Sequence, residues 1–257
     1  RIQVKEVIKE TRPNIIVNAA AFTQVDKAEL NSELCWGVNV EGPMNIGQEA
    51  AKGKAILIHY STDYVFDGSK TTPYDEDDSP NPINRYGESK LAGEVALEGL
   101  DLPYMVIRVG WLYSIDPSNF FSNLVAQFKE QKEVLVVTDQ VGTPTSADYV
   151  AEMTKLLLLR ARENTDSFFR IRRGLYHLGC NGIATRIEFA TEIVKAMRNK
   201  NIPVKTERIR PVLSHEYPSF VKRPAYSKLA VDKWGKMLEF KLVDWKEDLS
   251  RVVDQLN

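Results

Sequence analysis

The sequence predicts an α/β fold, a doubly wound parallel sheet with helices on both faces and a smaller C-terminal lobe. Three observations predict it. Short, uniformly apolar runs of strand length alternate with longer segments of helical periodicity. Those runs lack the polar alternation of a sheet with one wet face, so both faces are expected to be covered. Proline and charge become denser after Asn201, which marks the smaller lobe.

Taken in order, the chain opens inside a helical stretch at Arg1. Asn14–Ala21 (NIIVNAAA) follows Pro13 and reads as a fully buried strand ending in small residues. Lys27 to about Lys52 reads as helix, broken near Gly42-Pro43. Ala55–Tyr60 (AILIHY) is a second buried strand. Thr71–Asn84, rich in Pro, Asp and Asn, is a long surface loop. Helix Arg85–Gly99 leads to strand Tyr104–Val109, helix Asn119–Lys132 to strand Glu133–Thr138, and helix Ala147–Arg162 to strand Gly174–Leu178. Helix Thr185–Asn199 starts with a capping box, Thr185 with Glu188 three residues on. A final helix starts near Asp244.

Composition narrows the function. With 257 residues, 43% hydrophobic and 27% charged, the chain is long enough for one large domain or two small ones and needs no staples. Lys and Arg number 34 against 35 Asp and Glu, a net charge of −1, which argues against nucleic-acid partners and against a polybasic membrane surface. No apolar run approaches a membrane span. Cys35 and Cys180 read as buried free thiols, in keeping with a reducing, cytoplasmic setting.

A fold of this class often holds a dinucleotide on a glycine-rich turn after its first strand. The 14 glycines include no G-x-G pair. The chain also begins with Arg1 rather than Met. The expectation is that the first βαβ unit, with its phosphate loop, lies outside this sequence.

The chemistry concentrates between His59 and Glu94. Tyr86 and Lys90 are four residues apart in a predicted helix and so share a face. A tyrosine is a poor acid–base catalyst near neutral pH, but an adjacent ammonium favours its phenolate. Such a pair can donate and accept a proton. Alone, the spacing also fits an ordinary surface contact. Ser61-Thr62-Asp63 lies just beyond a buried strand, at the end where parallel sheets bind ligands, and equally fits a turn cap.

The wording of these segments resembles the extended short-chain dehydrogenase/reductase superfamily and, within it, the dTDP-4-dehydrorhamnose reductase family. The matching pieces are Arg12–Glu29, His59–Gly68 (HYSTDYVFDG), Pro80–Glu94 (P-x-P-x-N-x-Y-G-x-x-K-x-x-G-E), Asp139–Thr145 (D-Q-x-G-x-P-T) and Arg223–Leu229 (R-P-x-x-S-x-L). The resemblance implies a Rossmann-type fold. Residues 1–140 would be an incomplete dinucleotide-binding domain. Residues 141–257 would be mainly a substrate-binding lobe, with some segments returning to the sheet. It implies an oxidoreductase of nucleotide-sugar and cell-surface polysaccharide biosynthesis, using NADPH or NADH to reduce the C4 keto group of dTDP-4-dehydro-L-rhamnose to dTDP-L-rhamnose. Tyr86 would be the general acid, with Lys90 lowering its pKa and holding the nicotinamide ribose, and Thr62 would bond the C4 oxygen. Ala21, Phe22, Thr23, Tyr60, Tyr86 and Lys90 would bind the cofactor. Thr62, Asp63 and Trp111 would bind the sugar nucleotide. A homodimer is an allowed assembly. Two alternatives share the pattern: a non-catalytic regulatory subunit like the methionine adenosyltransferase β subunit, and a related sugar-nucleotide epimerase or 6-deoxytalose-forming reductase.

Other features stay open. Trp111 also fits a core tryptophan, and Asp139–Thr145 a simple turn. Arg223 fits a phosphate contact or a structural salt bridge. His59 and His177 read as core or edge residues, and no spacing with His215 resembles a metal site. The acidic run Asp75–Asp78 reads as a solvated loop. The resemblance brings in some relatives that bind magnesium at a dimer interface through glutamates. Asp148 falls near one such position with a shorter side chain, and no metal is assigned.

Overall fold

A computed structural model describes residues 2–217, 219 and 221–256. The chain starts with an exposed helix, α1 (Ile2–Thr11), and enters strand β1 (Ile15–Asn18). Then come α2 (Val25–Leu30), α3 (Ser32–Trp36), one π-helical turn at Gly37–Glu41, and α4 (Gly42–Gly53). Strand β2 (Ile56–Thr62) runs into a 3₁₀ turn at Asp63–Val65, and a long loop leads to α5 (Arg85–Glu98). Next are β3 (Tyr104–Val109), β4 (Leu112–Tyr113), α6 (Phe120–Glu130), β5 (Glu133–Val137), β6 (Val141–Gly142) and β7 (Thr145–Ser146). They are followed by α7 (Ala147–Ala161), α8 (Thr165–Ile171), β8 (Gly174–Leu178), β9 (Ala184–Thr185), α9 (Arg186–Asn199), β10 (Arg208–Val212), α10 (Asp232–Leu238) and α11 (Trp245–Val253).

The main sheet has the order β1-β2-β3-β8 and every pairing is parallel. Its register sets Asn18 opposite His59, Thr62 opposite Val109, and Val109 opposite Leu178. All carboxyl ends therefore face one way, and β2 reaches three residues past the end of β1. Along β2, Ile56 and Ile58 enter the large core while Leu57 enters a second cluster on the opposite face with Ala50, Leu97 and Val106. Covering both faces explains the unbroken apolar runs, and each fully buried side chain of this size contributes about 1.5–3 kcal/mol. The large core continues into the C-terminal region through Phe189, Trp234, Trp245 and Leu249.

Two expectations need correction. The strand read as Asn14–Ala21 is shorter, Ile15–Asn18, and within it only Asn18 is buried; β1 stands at one end of the described sheet order. It ends where the Asn18 side chain accepts a hydrogen bond from the Ala20 N–H (3.2 Å), a local bond that competes with the ladder. The long helix breaks first at Asn31, and the π turn precedes Gly42-Pro43. Pro43 lacks an N–H and sits at the start of α4, where that costs least.

Between the sheet and α5 lies a buried ion pair. Arg108 donates to Glu94 through Nε (2.9 Å) and Nη2 (2.6 Å), with both residues under 5% exposed. It locks the site helix to β3, and such a pair holds only while both partners remain. Among the described residues, no helix is long and apolar enough to cross a membrane.

Candidate active site

Helix α5 is aimed by its cap. Asn84 Oδ1 accepts from the Gly87 N–H (2.9 Å) while its Nδ2 donates to the Lys222 carbonyl (3.0 Å), so one side chain starts the helix and ties it to the C-terminal segment. Gly87 is required by close approach. A Cβ there would lie 2.2 Å from the Tyr64 carbonyl oxygen. This contact lets the first turn of α5 press against the 3₁₀ turn that follows β2, and so brings Tyr86 to Thr62.

The Tyr86 hydroxyl faces Thr62, and burial is the main reason its pKa is pushed well above the ordinary 10.0, with Thr62 opposing the shift. Thr62 Oγ1 donates to Asp63 Oδ1 (3.1 Å), so the hydroxyl facing the phenol is tied to a buried carboxyl. Asp63 is 2% exposed, and burial raises its pKa from 3.8 to about 6, opposed by hydrogen bonds and by the charge of Arg186. Among the described residues, Asp63 Oδ2 and Ser61 Oγ are buried polar atoms with no hydrogen-bond partner.

Lys90 lies one turn beyond Tyr86 and is 2% exposed. Its Nζ donates to the Tyr60 carbonyl (2.7 Å) and lies 3.4 Å from His59 Nε2. Burial lowers its pKa to about 8, against the pull of Glu94. Lys90 is not among the main influences on Tyr86, which are burial, Thr62, Asp63, Tyr64 and Cys35.

The other candidates surround this centre. Phe22 is fixed by Asn39, whose Oδ1 accepts from the Phe22 N–H (2.8 Å) and whose Nδ2 donates to its carbonyl (3.0 Å). The Phe22 side chain packs on the cluster containing Tyr86 and Cys35. Ala21 is half-buried, and Ala20 and Thr23 are exposed. Tyr60 contributes its carbonyl to Lys90, while its hydroxyl turns away to Thr154 of α7.

Trp111 is 8% exposed and has a left-handed backbone, φ 45°. Its indole Nε1–H donates to Ser227 Oγ (3.2 Å). The guanidinium of Arg186 lies 3.6 Å from its ring centre and 4.5 Å from that of Phe120, the geometry of cation–π stacking. Arg223, left open by the sequence, forms an ion pair with Asp26 (2.7 Å) and donates to Ser219 (2.6 Å).

Asn39 and Arg186 were missed. Asn39 sits in the π turn, a feature that often marks functional sites but leaves no sequence signature. Arg186 follows a helix cap and reads as one more surface charge. The acidic loop is more fixed than a solvated reading suggests, since Glu76 accepts from the His177 N–H (2.9 Å).

A dinucleotide fits the donor set. Small residues leave backbone open beyond β1, and Lys90, Tyr86 and the clamped Phe22 segment converge on the same edge of the sheet. The family model described as RmlD substrate binding domain matches residues 1–257. A dTDP-4-dehydrorhamnose reductase of Escherichia coli K12 is 36% identical over 98% of this chain and 83% of its own length. One of Sinorhizobium fredii is 35% identical over 98% and 84%. Among solved structures, a Clostridium acetobutylicum dTDP-4-dehydrorhamnose reductase has a TM-score of 0.87 at 33% identity, covering 99% of this chain and 85% of that one. A Bacillus anthracis one, in complex with NADP, has a TM-score of 0.85 at 32% identity with the same coverage. With this likeness along its length, the chain belongs to the dTDP-4-dehydrorhamnose reductase family.

Proposed function

We propose that this chain reduces the C4 keto group of dTDP-4-dehydro-L-rhamnose to the alcohol of dTDP-L-rhamnose, with NADPH or NADH as reductant. The observation that carries the reading is that α5 brings the buried Tyr86 phenol beside Thr62, one turn from the buried amine of Lys90 and at the ligand-binding end of the sheet. When bound, a reduced nicotinamide would supply the hydride for C4. Lys90, with the backbone of Ala21, Phe22 and Thr23 and with Tyr60, holds that cofactor.

Thr62 and Tyr86 bind the C4 oxygen together. Tyr86 is neutral when buried, so it enters the reaction as a proton donor, and its O–H goes to the oxygen as negative charge develops there. Burial keeps water from competing for that oxygen. Trp111 and Asp63 orient the sugar. Arg186 and Arg223 offer positive charge for the diphosphate of the nucleotide. The segment after residue 140 supplies most of the substrate side, through Gly142, Arg186, Arg223 and Ser227. Two buried free thiols suit a reducing cytoplasm. A net charge of −1 gives no support to a nucleic-acid partner.

The test is direct. Purified protein, given the 4-keto sugar nucleotide, should consume NADPH or NADH, and NMR of the product should show the rhamnose configuration. A talose product would redirect the reading to the other stereochemistry. Absence of turnover with both cofactors would reject it.

A further inference from the structure

The buried face of β2 holds a polar chain that the reaction above does not use. His59 is 0% exposed and Asn18 5% exposed. Asn18 Nδ2 lies 3.0 Å from His59 Nδ1, and Lys90 Nζ lies 3.4 Å from His59 Nε2. Asn18 Oδ1 is already committed, because it accepts from the Ala20 N–H (3.2 Å). The amide cannot be reversed without setting its NH₂ against that N–H. Asn18 must then donate to His59, and Nδ1 must be the bare nitrogen of a neutral ring. The ring proton is left on Nε2, aimed at Lys90.

We propose that Asn18 and His59 are a positioning pair for Lys90: Asn18 fixes the His59 proton on Nε2, and that N–H favours the amine of Lys90 over its ammonium. An ammonium has no lone pair and meets the N–H as a second donor. An amine accepts from it. The groups that face Lys90 divide accordingly. His59 from β2 opposes the charge. The Tyr60 carbonyl, Glu94 one turn along α5, and Cys35 from α3 favour it. Glu94 is partly spent on Arg108. The same burial keeps His59 itself neutral, with its pKa driven well below 6.5. A lysine balanced in this way exchanges a proton near neutral pH.

The inference rests on Lys90 belonging to the site, but its test needs neither cofactor nor substrate, so its failure is separate from a failure of the activity. The measurement is ¹⁵N NMR of the whole chain labelled at histidine. Wild type should show a protonated Nε2 and a bare Nδ1 on His59 from pH 6 to 9. In Asn18→Asp, a carboxylate oxygen accepts from Nδ1–H. The proton should move to Nδ1, and the titration midpoint of Lys90, followed at its ¹³Cε, should rise by about one unit, tenfold in proton affinity. A wild-type proton on Nδ1, or an imidazolium in that range, overturns the proposal whether or not the variant folds. So does a variant whose Lys90 midpoint is unchanged, or whose midpoint rises while the proton stays on Nε2, since that would be a plain charge effect.

Discussion

Gly142 lies so close beneath Trp111 that a Cβ on it would sit 2.5 Å from the indole Cε2 and Nε1. The indole is also held by Ser227 and covered by Arg186, so three segments far apart in sequence meet on one side chain. The Val141 N–H donates to the Ala225 carbonyl (2.8 Å) and the Ser227 N–H to the Val141 carbonyl (2.8 Å), which holds two of those segments together. Gly142→Ala should displace the indole. Overpacking of this kind costs about 1–3 kcal/mol. The expected outcome is a folded protein, by circular dichroism, with a KM for the sugar nucleotide raised about tenfold or more.

Tyr86→Phe removes the proton donor and little else. Stability should change by no more than about 1 kcal/mol, while kcat should fall by about 10²–10⁴-fold. Thr62→Val keeps the phenol and should fall by less. Steady-state rates beside thermal midpoints separate the two effects. A Tyr86→Phe protein with unchanged kcat would mean that the proton comes from elsewhere.

Much of this was legible in advance, for physical reasons that differ by element. β3 and β8 were read to the residue because burial on both faces leaves an unbroken apolar run between turn residues. Helix α9 was legible from its reciprocal cap, Thr185 with Glu188, which the structure contains. Strand β10 was not. It carries Arg208, Arg210 and Pro211, exposes most of its length, and exists because β5 pairs with it. Helix α8, with one buried residue, was missed for the same lack of an apolar face. In the site, Tyr86, Lys90 and Thr62 stood out because their spacing has a mechanism. The work of Asn39, Asn18 and Ser227 depends on which backbone atoms come near, and no local pattern carries that information.

Asp63 should make the fold less stable as pH rises. Its pKa is about 6 when folded against an ordinary 3.8. Below 3.8 both states hold the proton and the group is neutral to stability. Between 3.8 and about 6 the folded state binds more protons than the unfolded one, so stability falls with pH, and above about 6 the loss is complete. The difference amounts to about 3 kcal/mol. Asp63→Asn, which can still accept from Thr62, should be more stable than wild type at pH 8 by up to that amount and equal to it near pH 3.5. Urea unfolding at the two pH values checks this. The same variant should bind the sugar nucleotide less well, stability having been gained by removing a working group.

Arg186 offers the sharpest separation of charge from shape. Its guanidinium lies between the rings of Trp111 and Phe120, and among the described residues no carboxylate lies within ion-pairing distance of it. Asp63 and Tyr64 are near enough to favour its charge, while burial and the like charge of Arg223 oppose it, and the balance lowers its pKa to about 10. It therefore remains a cation at neutral pH, held in place by stacking rather than by a counter-ion. A cation kept so has binding capacity left for an anionic ligand, and a charge-assisted hydrogen bond is worth about 1.5–3 kcal/mol. Arg186→Met preserves apolar contact with the rings and removes the charge. Its KM for the sugar nucleotide should rise by about 10–100-fold with kcat little changed, and added salt should weaken wild-type binding more than binding by the variant. Arg186→Lys keeps the charge but loses the planar stack and should fall between the two. Calorimetric titration with dTDP alone isolates the nucleotide part. Equal affinity for dTDP in wild type and Arg186→Met would show that the arginine serves only to hold Trp111 in place, and then the Gly142→Ala and Arg186→Met variants should share one kinetic signature.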